Sequence, residues 1–128
     1  MCCLGRHLHL AHQFGRIVTN PNKAKGSKAE RLVRDFLIAC GVRCQRIPAG
    51  ATLDEADLFV SDPRWPSIDV KDHAAFQPAW LDRAQEQKIH AGRIFGVVWH
   101  KRRGKTNPAE WFVTMLGADF VTLMENQR

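Results

Sequence analysis

Asp57, Asp69 and Lys71 are the residues whose types and spacing in this sequence are best suited to catalysis. Asp69 and Lys71 stand two positions apart and alternate with the β-branched residues Ile68 and Val70. Side chains two apart on a β-strand point to the same face, so the pattern predicts a carboxylate and an ammonium group side by side. Asp57 lies twelve positions before Asp69 and supplies a second carboxylate.

Two converging carboxylates and a nearby ammonium group suit metal-assisted chemistry on a phosphate ester. Mg²⁺ prefers oxygen ligands, keeps several waters and is commonly held by one or two carboxylates. Lys71 could then orient or deprotonate a water, or offset negative charge that develops on a phosphate. The aspartates need a hairpin to bring them together. The apolar run Leu58–Val60, the turn-forming residues 62–66 and the strand around Asp69 predict one.

A helix predicted upstream carries a third carboxylate, Glu30. Apolar residues between positions 29 and 40 follow helical spacing, Ser27 and Glu30 form a capping-box pattern, and Gly41 is a stop signal. Because Glu30 lies at the margin of the apolar face, two interpretations are open: a helix cap, or a carboxylate held beside the sheet where the aspartates converge. The acidic residues and the lysine downstream favour the second.

The remaining segments complete an α/β pattern in the order αβββαββα. They are strands over residues 42–47, 94–100 and 111–116, a helix between Pro78 and Gly92, and a short helix over residues 119–125. On the middle helix, Gln85 and Gln87 either face solvent or contact a nucleic-acid backbone or an attacking water. The chain of 128 residues suits one domain with a single core.

The positive charge of the chain favours a polyanionic partner. Net charge is +6 and the sequence pI is about 9.6, although solubility alone also accounts for such a balance. Lys101–Lys105 places four basic residues around Gly104 between two strands, which suits a phosphate clamp or a solvated hairpin tip. Arg46 either meets phosphates or faces water. The candidate DNA-binding residues are Lys23, Lys25, Lys28, Arg46, Lys101, Arg102, Arg103 and Lys105.

The first 22 residues are predicted to be a poorly ordered N-terminal extension that precedes a domain over residues 23–128. They hold two cysteines and three histidines, but without the paired spacing of a zinc site. No apolar run reaches the roughly 18 residues of a membrane span. Without a clear signal-peptide core, the expectation is a cytoplasmic protein that has reduced thiols and no membrane partner.

These residues resemble the PD-(D/E)xK nuclease superfamily and, within it, the small Holliday junction resolvases of the archaeal type and of bacteriophages. The likeness covers roughly residues 23–124. It is carried by residues Lys25–Glu30, 49–50, 54–57, Ile68–Lys71, Trp80–Leu81, His100–Gly104 and Glu110–Thr114. Ala56 departs from the pattern, since the family often has glycine just before the metal-binding aspartate.

The resemblance implies a restriction-endonuclease-like core, with a mixed central sheet flanked by helices. It implies that Glu30, Asp57 and Asp69 ligate Mg²⁺, or Mn²⁺ in its place. Val70 would add its backbone carbonyl, and Lys71 would act on the attacking water. The expected substrate is branched double-stranded DNA, and paired symmetric nicks at a four-way junction imply a homodimer. The alternatives are another nuclease of this superfamily, of the nicking, repair or restriction type, and a non-catalytic basic protein that binds nucleic acid.

Overall fold

The computed structural model describes residues 21–47, 56–62 and 64–127, with side chains described from residue 24 onward. The described residues therefore do not include most of the predicted N-terminal extension, the 49–50 pair, Asp54 or the side chain of Lys23. The elements are α1 (Pro21–Ala39), β1 (Cys44–Arg46), β2 (Leu58–Val60), β3 (Ser67–Lys71), α2 (Ala79–Ala91), β4 (Gly96–His100), a 3₁₀ turn (Pro108–Glu110), β5 (Phe112–Thr114) and α3 (Gly117–Glu125). The predicted order αβββαββα is confirmed.

Helix α1 begins earlier than its sequence signals suggest. Its first residue is Pro21, which suits a first helical position because proline lacks an N–H that would have no helical partner there. Ser27 therefore lies inside the helix, and the capping-box interpretation of Glu30 is wrong. The predicted end is confirmed: Gly41 has φ +86°, a conformation that favours glycine, and its N–H donates to the carbonyl of Ile38 at 2.9 Å.

The five described strands form one mixed sheet in the order β1-β2-β3-β4-β5. Strands β1, β2 and β3 are antiparallel neighbours, β3 and β4 are parallel, and β5 runs antiparallel to β4. The parallel pair needs a crossover connection, which α2 provides. Strand β3 occupies the middle of the sheet, and its register places Asp69 beside Val98 and Lys71 beside His100.

The two faces of the sheet pack against different helices. On one face, Ile68 and Val70 belong to the main core, which includes Val33 from α1. On the other face, Val98 packs with Trp80 and Ala84 from α2. At the start of β4, a Cβ on Gly96 would lie 2.7 Å from the Ala84 carbonyl oxygen, so only glycine allows α2 to approach this closely.

Helix α3 is joined to α2 and β4 through a buried carboxylate. Asp119 accepts hydrogen bonds from Gln85 Nε2 at 2.9 Å, from Lys88 Nζ at 3.2 Å and from the Gly96 N–H at 3.3 Å. Gln87 is buried as well. Neither alternative from the sequence is therefore met, since Gln85 is bonded to Asp119 and Gln87 does not face solvent. Among the described residues, no helix combines the length and apolar character needed to cross a membrane.

Candidate active site

Asp57 and Asp69 meet although they come from different strands. Asp57 immediately precedes β2, where its N–H donates to the Ile68 carbonyl at 3.0 Å and so continues the β2–β3 pairing by one residue. Its Oδ2 accepts the Val70 N–H at 2.8 Å, which fixes the orientation of the carboxyl group. Asp69, on β3, is buried, and its carboxyl group is within hydrogen-bonding reach of that of Asp57. The predicted convergence of the two aspartates is therefore present.

Two buried carboxyl groups in contact disfavour each other's ionisation unless positive charge compensates them. Burial, the hydrogen bond to Asp69 and the negative charges of Asp69 and Glu30 raise the pKa of Asp57 to about 8. The buried Oδ2 of Asp69 has no hydrogen-bond partner, although Lys71 Nζ lies 3.2 Å away as an ion pair. A hard divalent cation would satisfy that oxygen and favour the ionised form of Asp57, so the pair fits an ion such as Mg²⁺.

The ammonium group of Lys71 lies over the ring of Trp80, which packs beside two histidine rings. Its Nζ lies 5.8 Å from the centre of the Trp80 ring, within the range of a cation–π contact. The rings of His73 and His100 lie 5.3 and 5.2 Å from Trp80, and His100 Nε2 is 2.8 Å from the His73 carbonyl oxygen. The position of Trp80 beside Lys71 depends on how α2 crosses the sheet.

Glu30 lies near the aspartates, but it is already paired. Its Oε1 accepts hydrogen bonds from Nε of Arg46 at 3.2 Å and from Nη2 at 3.0 Å, and both side chains are partly buried. Arg46 was expected to meet phosphates or to face water, whereas the described structure places it on Glu30. The negative charge of Glu30 still acts on Asp57 and contributes to its raised pKa.

A cleft of about 270 Å³ at the end of β3 is lined by most of the predicted catalytic and metal-binding residues. Its lining consists of Lys25, Gly26, Glu30, Asp57, Val70, Lys71, Asp72 and His73, and Asp69 lies buried next to Asp57. In the part of the chain that is described, no three His, Cys, Asp or Glu side chains are grouped closely enough to hold a metal by themselves. An ion at Asp57 and Asp69 would therefore complete its shell with the Val70 carbonyl and waters, as Mg²⁺ commonly does with water.

No family model, curated protein or solved structure matches this chain. The functional assignment therefore depends on the geometry and charge of the cleft.

Asp72 is a member of the cleft that the sequence did not single out. It forms ion pairs with Lys25 Nζ at 3.8 Å and with Lys101 Nζ at 3.7 Å, so it joins α1 to the loop that follows β4. Lys101 is brought to this edge because its N–H donates to the Lys71 carbonyl at 2.8 Å, continuing the parallel pairing. Two of the predicted DNA-binding lysines thus lie next to the carboxylates.

The other basic candidates lie on α1 or on the loop after β4. Lys28 and Arg103 are exposed. Arg102 lies 5.5 Å above the Phe112 ring, and Lys105 is 3.8 Å from Glu110. Of the predicted DNA-binding residues with described side chains, Lys25 lines the cleft and Lys101 is paired with Asp72, which also lines it.

Ala56 has a backbone conformation that is rarely found in residues other than glycine. Its φ is +89°, in the left-handed region where a Cβ is strained by about 1–2 kcal/mol. It is the position at which the sequence departs from the resolvase-like pattern, which often has glycine there. Strain of this kind concentrates at functional sites, and here it precedes the residue whose carboxyl group must reach Asp69.

A larger concavity of about 620 Å³ lies beside the main core, on the face of the sheet that packs against α1. Its lining is mainly apolar and includes Trp65, Trp99 and Leu123. Since it lacks converging carboxylates, the smaller polar cleft is the candidate active site.

Proposed function

We propose that this chain is a metal-dependent DNA endonuclease of the PD-(D/E)xK type that resolves four-way junctions by paired phosphodiester hydrolysis. The observation that carries the nuclease assignment is the convergence of Asp57, Asp69 and Lys71 at one cleft rimmed by basic residues. The preference for a junction is supported by the sequence resemblance to resolvases.

Asp57 and Asp69 would hold Mg²⁺, with Mn²⁺ as a substitute, and Val70 would add its carbonyl oxygen. The bound ion would supply an activated water and neutralise charge on the phosphate. Lys71 lies 3.2 Å from Asp69, where its ammonium group can orient the attacking water or stabilise the developing negative charge. Glu30 would take part from the edge of the site, where Arg46 now holds it.

The expected substrate contacts are mainly to the DNA backbone. Lysine and arginine residues on α1 and on the loop after β4 would neutralise phosphates, which gives affinity and a preference for shape more than for base sequence. Symmetric nicks in opposite strands need two copies of the cleft, so the proposal includes a homodimer. It also places the protein in the cytoplasm, or in the host cytoplasm if a phage encodes it.

Incubation of the purified protein with a labelled four-way junction, a matched duplex and a flap tests the proposal. Each substrate is incubated with Mg²⁺ and, separately, with EDTA. We expect symmetric nicks that require Mg²⁺ and occur only in the junction. Cleavage of all three substrates would retain the nuclease and overturn the junction assignment. Binding without cleavage in any metal would overturn the enzyme proposal in favour of a non-catalytic DNA-binding protein.

A further inference from the structure

The loop between β3 and α2, residues 72–78, is exposed to solvent and yet anchored to the sheet. Every residue from His73 to Ala79 is exposed. The buried side chain of His100, at the end of β4, contacts the loop backbone, since its Nε2 lies 2.8 Å from the His73 carbonyl oxygen. Anchoring of this kind lowers the entropy cost of ordering a loop when it binds another molecule.

Phe76 is the large apolar side chain of this loop. It is 36% exposed, and its ring lies 5.3 Å from that of Trp80 and 6.1 Å from that of His100. The contact with Trp80 is edge-to-face, with 85° between the ring planes, an arrangement that stabilises aromatic pairs. Two neighbouring rings therefore support Phe76 and still leave part of it accessible to a ligand.

The Phe76 ring lies beside the candidate active site. Trp80, which it contacts, is also 5.8 Å from Lys71 Nζ and 5.3 Å from the ring of His73. Lys71 and His73 both line the cleft. A single ring therefore separates Phe76 from the ammonium group proposed to act at the phosphate.

The chemistry of the loop differs from that of the charged residues next to it. Between Asp72 and Asp82 the sequence contains no lysine, arginine, aspartate or glutamate. Lys25 and Lys101 pair with Asp72, immediately before this uncharged stretch. Lysine side chains contact phosphates, whereas an exposed aromatic ring contacts the face of a nucleic-acid base. The two kinds of group therefore suit two different parts of one DNA substrate.

Only some DNA structures make the face of a base available to such a ring. In a continuous duplex each base is stacked between its neighbours, whereas the stack is interrupted at a branch point. Unstacking costs least where the pairing of a base is already disturbed. Aromatic side chains stack on such bases with little dependence on which base it is. A ring beside the cleft would therefore read branching and not sequence.

We propose that Phe76 stacks on a base at the branch point of DNA and so gives the cleft its preference for branched substrates. The inference rests on the proposed function, because it requires that the cleft binds DNA. Phe76 would contact the substrate away from the reacting phosphate. Its removal should therefore weaken junction binding, with the effect on affinity and not on the cleavage rate of bound DNA.

Affinities for a four-way junction and for a matched duplex, both measured in EDTA, test the proposal. Phe76→Leu keeps an apolar side chain against Trp80 but lacks a ring, and Phe76→Trp keeps a ring. We expect Phe76→Leu to bind the junction about tenfold more weakly, as the loss of one base–aromatic stack predicts, and to bind the duplex like the wild type. Phe76→Trp should bind both DNAs like the wild type. Circular dichroism checks that each variant is folded.

Phe120→Leu is the matched control. It makes the same substitution at a phenylalanine that is 51% exposed on α3. The preceding residue, Asp119, accepts the Gly96 N–H at the start of β4, the opposite end of that strand from His100. Phe120→Leu should therefore bind the junction and the duplex like the wild type.

A junction that carries 2-aminopurine at each branch-point position in turn reports on the base itself. The emission of 2-aminopurine rises when it leaves the stack of its neighbouring bases. At saturating protein, the wild type and Phe120→Leu should raise the emission at one or more positions, and Phe76→Leu should raise it less.

Wild-type junction affinity in Phe76→Leu would overturn the proposal and leave contact with another protein as the use of this ring. An equal loss of affinity for junction and duplex would also overturn it, as would a folded Phe76→Trp variant that binds as weakly as Phe76→Leu. In each of these cases, cleavage of the junction by the wild type in Mg²⁺ would leave the nuclease in place. A junction preference that depends on Phe76, without cleavage in Mg²⁺, would instead reject the nuclease and retain the base contact.

Discussion

The fold raises the pKa of the Asp57 carboxyl group, and a bound cation would lower it again. The negative charges of Asp69 and Glu30 both oppose its ionisation. The Val70 N–H, which donates to Asp57 at 2.8 Å, acts in the opposite direction but does not outweigh burial and the two acids. The pKa of this carboxyl group is therefore raised to about 8.

This raised pKa predicts how stability depends on pH. The pKa of Asp57 rises from its ordinary value of 3.8 to about 8 on folding, so the folded protein keeps a proton that the unfolded chain releases. The contribution to stability is complete below about pH 4 and is lost as pH rises to about 8. In EDTA, we expect the unfolding temperature of the wild type to fall across this window, and that of Asp57→Asn to fall less.

Mg²⁺ should reverse the effect, because it binds the ionised carboxylate. Its stabilising shift should therefore grow as pH rises through the same window. Asp82→Asn, which removes an exposed carboxylate on α2, is the control and should behave like the wild type. Equal pH slopes for the wild type and Asp57→Asn would show that Asp57 ionises normally.

The site residues that could be predicted from the sequence are those whose signal lies in their immediate sequence neighbours. Asp69 and Lys71 alternate with β-branched neighbours, which fixes both on one face of a strand. The ion pair between Glu30 and Arg46 spans sixteen positions and depends on how α1 crosses β1. Asp72 likewise joins two lysines from distant segments. No periodicity in the sequence reports such pairings, so these contacts emerged only in three dimensions.

Among the elements, the hairpin of β2 and β3 was predictable and the start of α1 was not. The turn-forming residues 62–66 lie between two apolar runs, and both signals are close in sequence. Ser27 and Glu30 have the spacing of a capping box, yet the helix continues back to Pro21. Strand β1 is limited to Cys44–Arg46, shorter than the predicted 42–47, because its antiparallel partner β2 has only three residues.

The loop after β4 gives the prediction at this scale. If Arg102 and Arg103 each neutralise one phosphate, replacing either by alanine should lower the slope of log affinity against log salt concentration by about 1. Affinity should fall similarly for all DNA sequences, because backbone contacts do not read bases. Junction binding measured over a series of salt concentrations, in EDTA, tests this expectation.

Arg64→Ala is the matched control for the loop. Arg64 is an exposed arginine paired with Asp62 in the turn before β3, away from the cleft at the other end of that strand. Its removal should leave the salt slope unchanged. An unchanged slope in the Arg102 and Arg103 variants would mean that the loop is a solvated hairpin tip.

For the molecule as a whole, charged residues from distant segments meet at the end of β3. The cleft there combines carboxylates with Lys25 from α1 and brings in Lys101 from the loop after β4. Residues 112–127, by contrast, contain no lysine or arginine. The net charge of +6 is therefore not spread evenly along the chain.

Cleavage of the four-way junction by wild type, Asp69→Asn and Lys71→Ala in Mg²⁺, with binding measured in parallel, tests the central claim most directly. We expect both variants to bind the junction and to cleave it at least about a hundredfold more slowly, since each lacks a group that acts on the reacting phosphate or water. Asp82→Asn should cleave like the wild type. Cleavage at the wild-type rate by both Asp69→Asn and Lys71→Ala would contradict the assignment of this cleft as the active site.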